Sequence, residues 1–520
     1  MSHTMSRLSL VCLSNKRQTS YWLLPVFTVY YFLQALCSII NNFLFICIHK
    51  FRLLMEAATY MSIRHVKHAL SVLTLVGCVF IIIAFSAGGA IHSNVTFTEA
   101  HGYPVTFLLY FLQFSVVVQL PFFILNFLGL VLLNVFTEQP KLQRSPLLGP
   151  FLCFRVVTRG TYPDLVKKNV QHNLEICKNV GLHNFIVEVV TDVSVNIQKN
   201  KLCREIVVPE DYRTGSGSLF KARALQYALE PEISILEPGD WIVHLDEETL
   251  LTEGAVIGII NFTGTTEHAF GQGVITYGNG EIVNWVTTLA DSIRVGIDYG
   301  CLRFCLGVLH KPLFSWKGSF IVAKAEAEMT VSFDHGPEAS IAEDCFFACV
   351  AFSKGFSFGF VDGTMFEQST FTIKDFVRQR RRWMQGILLT ALSKKIPLRY
   401  KFGPVLMSLS SCILPLNLLL FLVSRVWSLP SSVFITVTFS IILGTIIYLF
   451  ILGTLQTFGV HQHGVWKCFL LVCATLLCGM VACCLEYLVA VLVFWMPKTT
   501  INNFYIVNKE IVSKDYVKVV

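Results

Sequence analysis

Three acids stand side by side in the segment WIVHLDEETLLTEGAVIGIINF, where Asp246, Glu247 and Glu248 follow the apolar run Trp241-Ile242-Val243. Like charges gathered at the end of a strand repel one another unless a cation joins them, and a divalent ion is the usual solution. In an extended chain Asp246 and Glu248 fall on the same side. That pair can grip one Mg2+ or Mn2+, with a diphosphate completing the shell. Acids also favour the first turn of a helix, and EETLLTEGAVIGIINF can be read as one. The two readings do not exclude each other.

A second acidic pair, Glu343-Asp344, precedes the helical pattern in ASIAEDCFFACVAFSKGF. On these residues alone, acids capping a helix are the simpler reading. The third candidate is RQRRRWMQG, from Arg378 to Gly386. It can be a basic face against lipid headgroups. It can also be a diphosphate clamp, because Arg forks match phosphate oxygens and Trp383 offers a flat face to a sugar.

The chain around these residues is 520 long, 54% hydrophobic and only 14% charged, with a mean hydropathy of +0.60. Such a balance is that of an integral membrane protein. Apolar runs cluster at the two ends. One set starts at Tyr21, Ala69 and Val105, the other at Phe402, Ser432 and Cys468, each long enough for the roughly 20 residues a membrane-crossing helix needs. This predicts about three spans within 1–150, a central domain over 151–400 ending in an interfacial helix, about three spans within 401–497, and a tail over 498–520. The 17 cysteines contain no CxxC pair, so neither a zinc site nor a disulfide framework is expected.

Lys50, Arg52, Arg64 and Lys67 follow the first run, and Lys141 and Arg144 follow the third. Basic loops face the cytosol. The stretch HSNVTFTEAHGYP between them lacks Lys and Arg and holds the sequon Asn94-Val95-Thr96, which predicts a lumenal loop. The central domain is therefore expected on the cytosolic side. A net charge of +7 suits contact with anionic lipid, while no arginine-aromatic pattern argues for nucleic acid.

Within the central domain, short β-rich runs alternate with helical periodicity. FRVVTRG from Phe154, NFIVEVVTD ending on Asp192, CREIVVPEDY from Cys203 and DWIVHLDEE read as strands, with helices at TYPDLVKKNVQHNLEICKNVG and LFKARALQYALE. This alternation predicts a doubly wound, mainly parallel α/β sheet. Ligands of such sheets sit at the carboxyl ends of the strands, where Thr158, Asp192 and Asp246 fall.

In order, Asp192, the triplet Asp246-Glu247-Glu248, the pair Glu343-Asp344 and the Q-x-x-R-W set of Gln379, Arg382 and Trp383 resemble the membrane-embedded inverting glycosyltransferases of family 2, whose GT-A domain is shared by cellulose, chitin and hyaluronan synthases. The stretches RVVTRGTYPDLV, EVVTD, KARALQYALE, WIVHLDEETLLTE, NWVTTLAD, HKPLFSWKGS, AEDCFFA and QRRRWMQGILL are similar, more closely, to β-1,4-mannosyltransferases of invertebrate glycosphingolipid synthesis. The resemblance runs from about His101 to the last span, and the first hundred residues have no counterpart in it.

The resemblance implies that Asp192 contacts the base or ribose of the nucleotide, with Thr158 and Lys221 nearby. It gives Asp246 and Glu248 the metal and diphosphate, although a strict D-x-D would end in Asp rather than Glu248. Asp344 becomes the general base, and Gln379, Arg382 and Trp383 hold the leaving diphosphate and the acceptor sugar. It further implies GDP-mannose as donor, glucosylceramide as acceptor, Mg2+ or Mn2+ as cofactor, and residence in the Golgi or endoplasmic reticulum. The basic border LSKKIPLRYKFGP suits a lipid acceptor. The stretch NWVTTLADSIRVGIDYGCLRFCLGVLHKPLFSWKGSF, mixing aromatics and glycines, can shape its cleft. Two other readings compete: a processive polysaccharide synthase, and a non-enzymatic nucleotide-sugar-binding membrane protein such as a transporter. A transporter needs charges along its spans, and Glu486 is the main candidate, more simply read as a satisfied intramembrane contact.

Overall fold

The computed structural model describes residues 63–87, 90–277, 281–314, 316–427, 429–430 and 432–496. Among them, five helices are long and apolar enough to cross a membrane: Ile63–Phe85, Phe97–Leu132, Phe402–Ser424, Val433–Phe458 and Gln462–Trp495. They coincide with five of the six expected runs. The run from Tyr21 and the tail 498–520 lie outside the described residues.

Helix α1 covers Ile63–Ala87 and α2 covers Ala90–Phe114, followed by a 3-10 turn at Ser115–Gln119 and α3 at Leu120–Leu132. The stretch expected as a lumenal loop departs from that reading, because α2 runs through Asn94 as far as His101. No Gly or Pro interrupts it before Gly102, whose φ of 79° breaks the helix just ahead of Pro104.

The central domain then alternates as its periodicity predicts: β1 (Leu152–Thr158), α4 (Pro163–Asn179), β2 (Phe185–Thr191), β3 (Cys203–Val207), α5 (Phe220–Tyr227), β4 (Trp241–Asp246), α6 (Glu253–Thr265) and β5 (Phe270–Tyr277). Next come α7 (Trp285–Ile297), a π-helical turn at Asp298–Leu302, α8 (Arg303–Gly307), β6 (Ile321–Lys324), α9 (Ala325–Val331), α10 (Glu343–Ser353), β7 (Phe358–Glu367) and α11 (Ile373–Leu392). The seven strands form one sheet in the order β3-β2-β1-β4-β6-β5-β7. β6 alone runs against its neighbours β4 and β5; the other pairs are parallel.

Every residue of β1 and β2 is buried, as expected of parallel strands covered on both faces. Their charged layer is an ion network: Arg155 Nε lies 2.6 Å from Glu188 Oε1, and Arg155 Nη1 lies 3.5 Å from Glu328 Oε1. His244 Nε2 meets Glu328 Oε2 at 2.6 Å. These charges are all but sealed from water, so each depends on the others for compensation.

After the central domain come α12 (Phe402–Val426), α13 (Val433–Phe458) and α14 (Val460–Ala490). Close backbone approaches bind α7 to this bundle. A methyl group on Gly453 would lie 1.7 Å from the Ser292 carbonyl oxygen, and one on Gly296 would lie 2.4 Å from that of Leu449. On the other side, a methyl on Gly129 would lie 2.2 Å from the Gly300 oxygen, and Cys301 N donates to Asn126 Oδ1 at 3.1 Å. Small residues of this kind let membrane helices pack backbone to backbone. Here they fix α7 and its π-helical turn between α3 and α13.

Candidate active site

Because β6 is the antiparallel member, the carboxyl ends of β1, β2, β4, β5 and β7 share one edge with the loop that enters β6. A cavity of about 980 Å3 opens along that edge. Thr158, Asp192, Lys221, Asp246, Glu248 and Asp344 line it, and so do Gln379, Arg382 and Trp383 from α11. All the residues expected at the site are thus brought to one cleft.

The triplet sits at the end of β4 and the turn after it. The following helix α6 starts at Glu253 and is capped by Thr252, whose side chain accepts from Ala255 N at 3.0 Å. The three acids therefore do not belong to its first turn, which removes the helix-capping alternative for them. Glu247 is turned to Thr158, whose hydroxyl donates to Glu247 Oε2 at 2.5 Å. The Asp246 backbone is held by Thr249 Oγ1 and Ser319 Oγ, at 3.1 and 3.3 Å from its N–H. Lys221 Nζ reaches Asp246 Oδ1 at 2.5 Å, Gly318 O at 2.9 Å and Glu343 Oε1 at 3.6 Å. Burial works against that ammonium, but Asp246 and Glu343 outweigh it and hold its pKa above the ordinary lysine range. Asp192 is paired with Arg223 at 2.7 Å.

Asp344 opens α10, where its Oδ1 accepts from Cys345 N at 2.7 Å. It is both a first-turn acid and a cavity wall, so its two readings coexist. Burial, and then the charge of Glu343, push its carboxyl up to about 7. A carboxylate with that pKa is a far better proton acceptor than an exposed one, and about half of it is ionised at neutral pH.

On the far side, α11 presents the Q-x-x-R-W residues, and neither simple reading of the basic run covers them all. Arg378 is exposed, whereas Arg380 is buried in a network: its Nη2 donates to Asp291 Oδ1 at 2.5 Å and its Nε lies 3.1 Å from Glu486 Oε1. Arg294 reaches Asp291 at 3.5 Å. The two guanidiniums lie 4.4 Å (Arg380) and 4.5 Å (Arg294) from the centre of the Trp383 ring. Cation–π contacts thus fix Trp383 where it meets the cavity. Glu486 is the satisfied contact its isolation in the span suggested.

Sequence reasoning missed several cavity residues. Glu367 ends β7 and accepts from Thr249 Oγ1 at 3.1 Å. Burial, then Asp246 and Glu248, raise its carboxyl to about 7. It obeys the strand-end rule that found Asp192 and Asp246, and reading FGFVDGTMFE as a strand would have exposed it. Lys317 pairs with Asp298 on the π-helical turn. Burial lowers the Lys317 pKa and raises that of Asp298. π-helical turns often mark functional positions. Asp291, Arg294, Asp298 and Lys317 all fall in the stretch from Asn284 to Phe320 expected to shape an acceptor cleft, and all line the cavity.

The donor set fits a hard cation. Mg2+ is ordinarily held by one or two carboxylates together with substrate phosphates. Asp246 and Glu248 supply hard oxygens, and their charge is strong enough to disturb Glu367. Among the described residues, no group of three or more His, Cys, Asp or Glu forms a ready-made cage.

Residues 241–498 match the family described as Glycosyl transferase family group 2. The chain is 44% identical over 454 residues to β-1,4-mannosyltransferase egh of Drosophila melanogaster, covering 86% of this chain and 98% of that protein. It is 45% identical over 453 residues to β-1,4-mannosyltransferase bre-3 of Caenorhabditis briggsae, with the same coverage. With bre-3 of Caenorhabditis elegans the identity is 47% over 403 residues, covering 76% of this chain and 88% of that protein. A share of 86% of 520 residues exceeds the stretch from His101 to Val520. The likeness therefore starts before His101, nearer the N-terminus than the motifs suggested. An acid-lined cleft at the strand ends, helices fit to span a membrane, and likeness of this extent lead to one conclusion: the chain belongs to the β-1,4-mannosyltransferase family within glycosyltransferase family group 2 and is a glycosyltransferase.

Proposed function

We propose that the enzyme transfers mannose from GDP-mannose to the glucose of glucosylceramide, with inversion, to give β-1,4-mannosyl-glucosylceramide. The donor rests with its nucleoside near Asp192 and Thr158 and its diphosphate between Lys221, Asp246 and Arg382. Gln379 and Trp383 face the acceptor. The acceptor hydroxyl gives its proton to Asp344 while its oxygen bonds to the anomeric carbon. The bond from that carbon to the diphosphate breaks, and GDP leaves with the electron pair. This is one in-line displacement with no covalent enzyme intermediate. A Mg2+ or Mn2+ held by Asp246 and Glu248 would neutralise charge on the departing diphosphate.

The observation that carries this reading is the continuity of one cavity from Asp246 and Asp344 to Ser411 and Glu486 on helices fit to cross a membrane. A donor site that opens into a membrane bundle favours an acceptor that is itself a lipid. Membranes containing the full chain, given labelled GDP-mannose and glucosylceramide, should form a singly mannosylated lipid. Label in a long water-soluble polymer, or transfer only from a UDP-sugar, would overturn the reading. We further place the central domain in the cytosol, at a Golgi or endoplasmic reticulum membrane. Protease added outside sealed microsomes should then cut it, and protection would reverse the orientation.

A further inference from the structure

The cavity does not stop at the reacting groups. Beyond Trp383 its wall passes onto α12, where Pro404, Met407, Ser408, Ser411 and Leu414 face it. Their spacing is that of one helical face. The ten helical steps from Pro404 to Leu414 descend about 15 Å. Since the span begins at Phe402, this arm reaches well into it. Opposite stand Phe122 and Phe123 of α3, with Phe314 packed against Phe122 at a ring separation of 5.7 Å. Just past Leu414, Ser115 Oγ donates to Asn417 Oδ1 at 3.0 Å and ties α12 to the segment leading into α3.

One polar atom in the arm has no bond to any described residue. Ser408 is only 7% exposed, and among the described residues its Oγ has no hydrogen-bond partner. Serines and threonines in membrane helices commonly bond back to the carbonyl four residues earlier. Ser440 and Thr454 do so, at 2.7 and 2.8 Å.

We infer that this arm is the subsite for an aliphatic chain of the acceptor lipid, with the Ser408 hydroxyl meeting the polar linkage between sugar and chain. The inference rests on the reading of the acceptor as a glycolipid. A growing glycan is a poor occupant, because Met407, Leu414, Phe122 and Phe123 offer no hydrogen bonds to a hydroxyl-rich chain. The apolar wall and its depth match a hydrocarbon instead. Filling the arm should therefore penalise the chain rather than the sugar.

The test uses the full-length enzyme in lipid nanodiscs with GDP-mannose, and compares glucosylceramide with methyl β-glucoside. Ser411→Trp and Leu414→Trp should each lower the ratio of kcat/KM for glucosylceramide to that for methyl β-glucoside by about tenfold, the scale set by steric fit in an apolar pocket. A ratio that stays at the wild-type value would overturn the inference. Should a variant misfold, photolabelling of the wild-type protein decides. A glycolipid with a diazirine in its acyl chain should label α12 between Met407 and Leu414, and labelling confined to other helices would overturn the proposal. This second readout needs neither the donor nor the transferred sugar. Wild-type enzyme that is labelled on α12 but does not mannosylate glucosylceramide would sink the donor and acceptor assignment and leave the chain subsite standing.

Discussion

Arg380 and Asp291 form a buried ion pair 2.5 Å apart that joins α11 to α7. Asp291 also receives Ser369 Oγ at 2.7 Å and Arg294 at 3.5 Å, so one carboxylate anchors both cations that lie over Trp383. Replacing it by Asn leaves Arg294 without this counter-charge and Arg380 with Glu486 alone among the described residues. Asp291→Asn should destabilise the protein by about 3–5 kcal/mol, the cost of breaking a buried pair from one side. Thermal unfolding of the purified protein measures this. Transfer activity should fall with it, since Trp383 loses its support.

Asp344→Asn should lower kcat/KM by about 10^2 to 10^4, the usual contribution of a positioned base. GDP affinity should change far less than kcat/KM, because Asp344 Oδ1 is held by Cys345 N of α10 and only its charge is felt by Lys221 and Asp246 at the donor end. Calorimetric GDP binding alongside a transfer assay checks both. A variant that folds, binds GDP and keeps full activity would remove Asp344 from the mechanism.

The raised carboxyl of Asp344 sets a pH dependence. As the proposed base, Asp344 can accept the proton only when ionised, and burial pushes its carboxyl up to about 7, so kcat/KM should rise with pH up to that point and then level off. After burial, the charge of Glu343 is the largest influence pushing it upward. Removing that charge in Glu343→Gln should move the acid limb to lower pH. A limb that stays in place in pH–rate profiles would show that another group titrates.

Chelation with EDTA should abolish transfer, and Mg2+ or Mn2+ should restore it. Asp246→Ala should weaken nucleotide-sugar binding by at least about tenfold while leaving lipid binding much less affected, because its carboxylate faces the donor end with Lys221. Parallel binding measurements with GDP-mannose and glucosylceramide separate the two. Equal loss of both would indicate misfolding.

Gly296→Val should be poorly tolerated. Its first side-chain carbon would fall 2.4 Å from the Leu449 oxygen, so α7 or α13 must move. Overpacking of this kind costs about 1–3 kcal/mol. Activity should drop more than stability suggests, because Asp291 and Arg294 ride on the displaced helix. A thermal shift assay and a transfer assay on the same preparation test this.

Much of this site could be read from the sequence, for identifiable reasons. Asp192 and Asp246 end strands whose apolar runs are short and bounded, so the strand-end rule located them. Asp344 and Trp383 came from motif order. Glu367 was missed because β7 carries two glycines and an exposed Asp362, and so lacks the continuous apolar run of β1. Arg294 and Lys317 were not singled out because their roles arise from tertiary pairing, with Trp383 on another helix and with Asp298 on a π-helical turn. Spacing in one segment cannot show such pairs. The helical form of the stretch around Asn94 was hidden by a composition that also suits a loop.

The glycine contacts of α7 bear on where this enzyme can be cut. A fragment holding residues 151–400 looks complete by sequence, yet it would bare the surface of α7 that α13 covers at Ser292 and Gly296. The wall of the cleft and the membrane bundle are one piece of masonry, and quarrying the first without the second would bring down Asp291, Arg294 and the seat of Trp383.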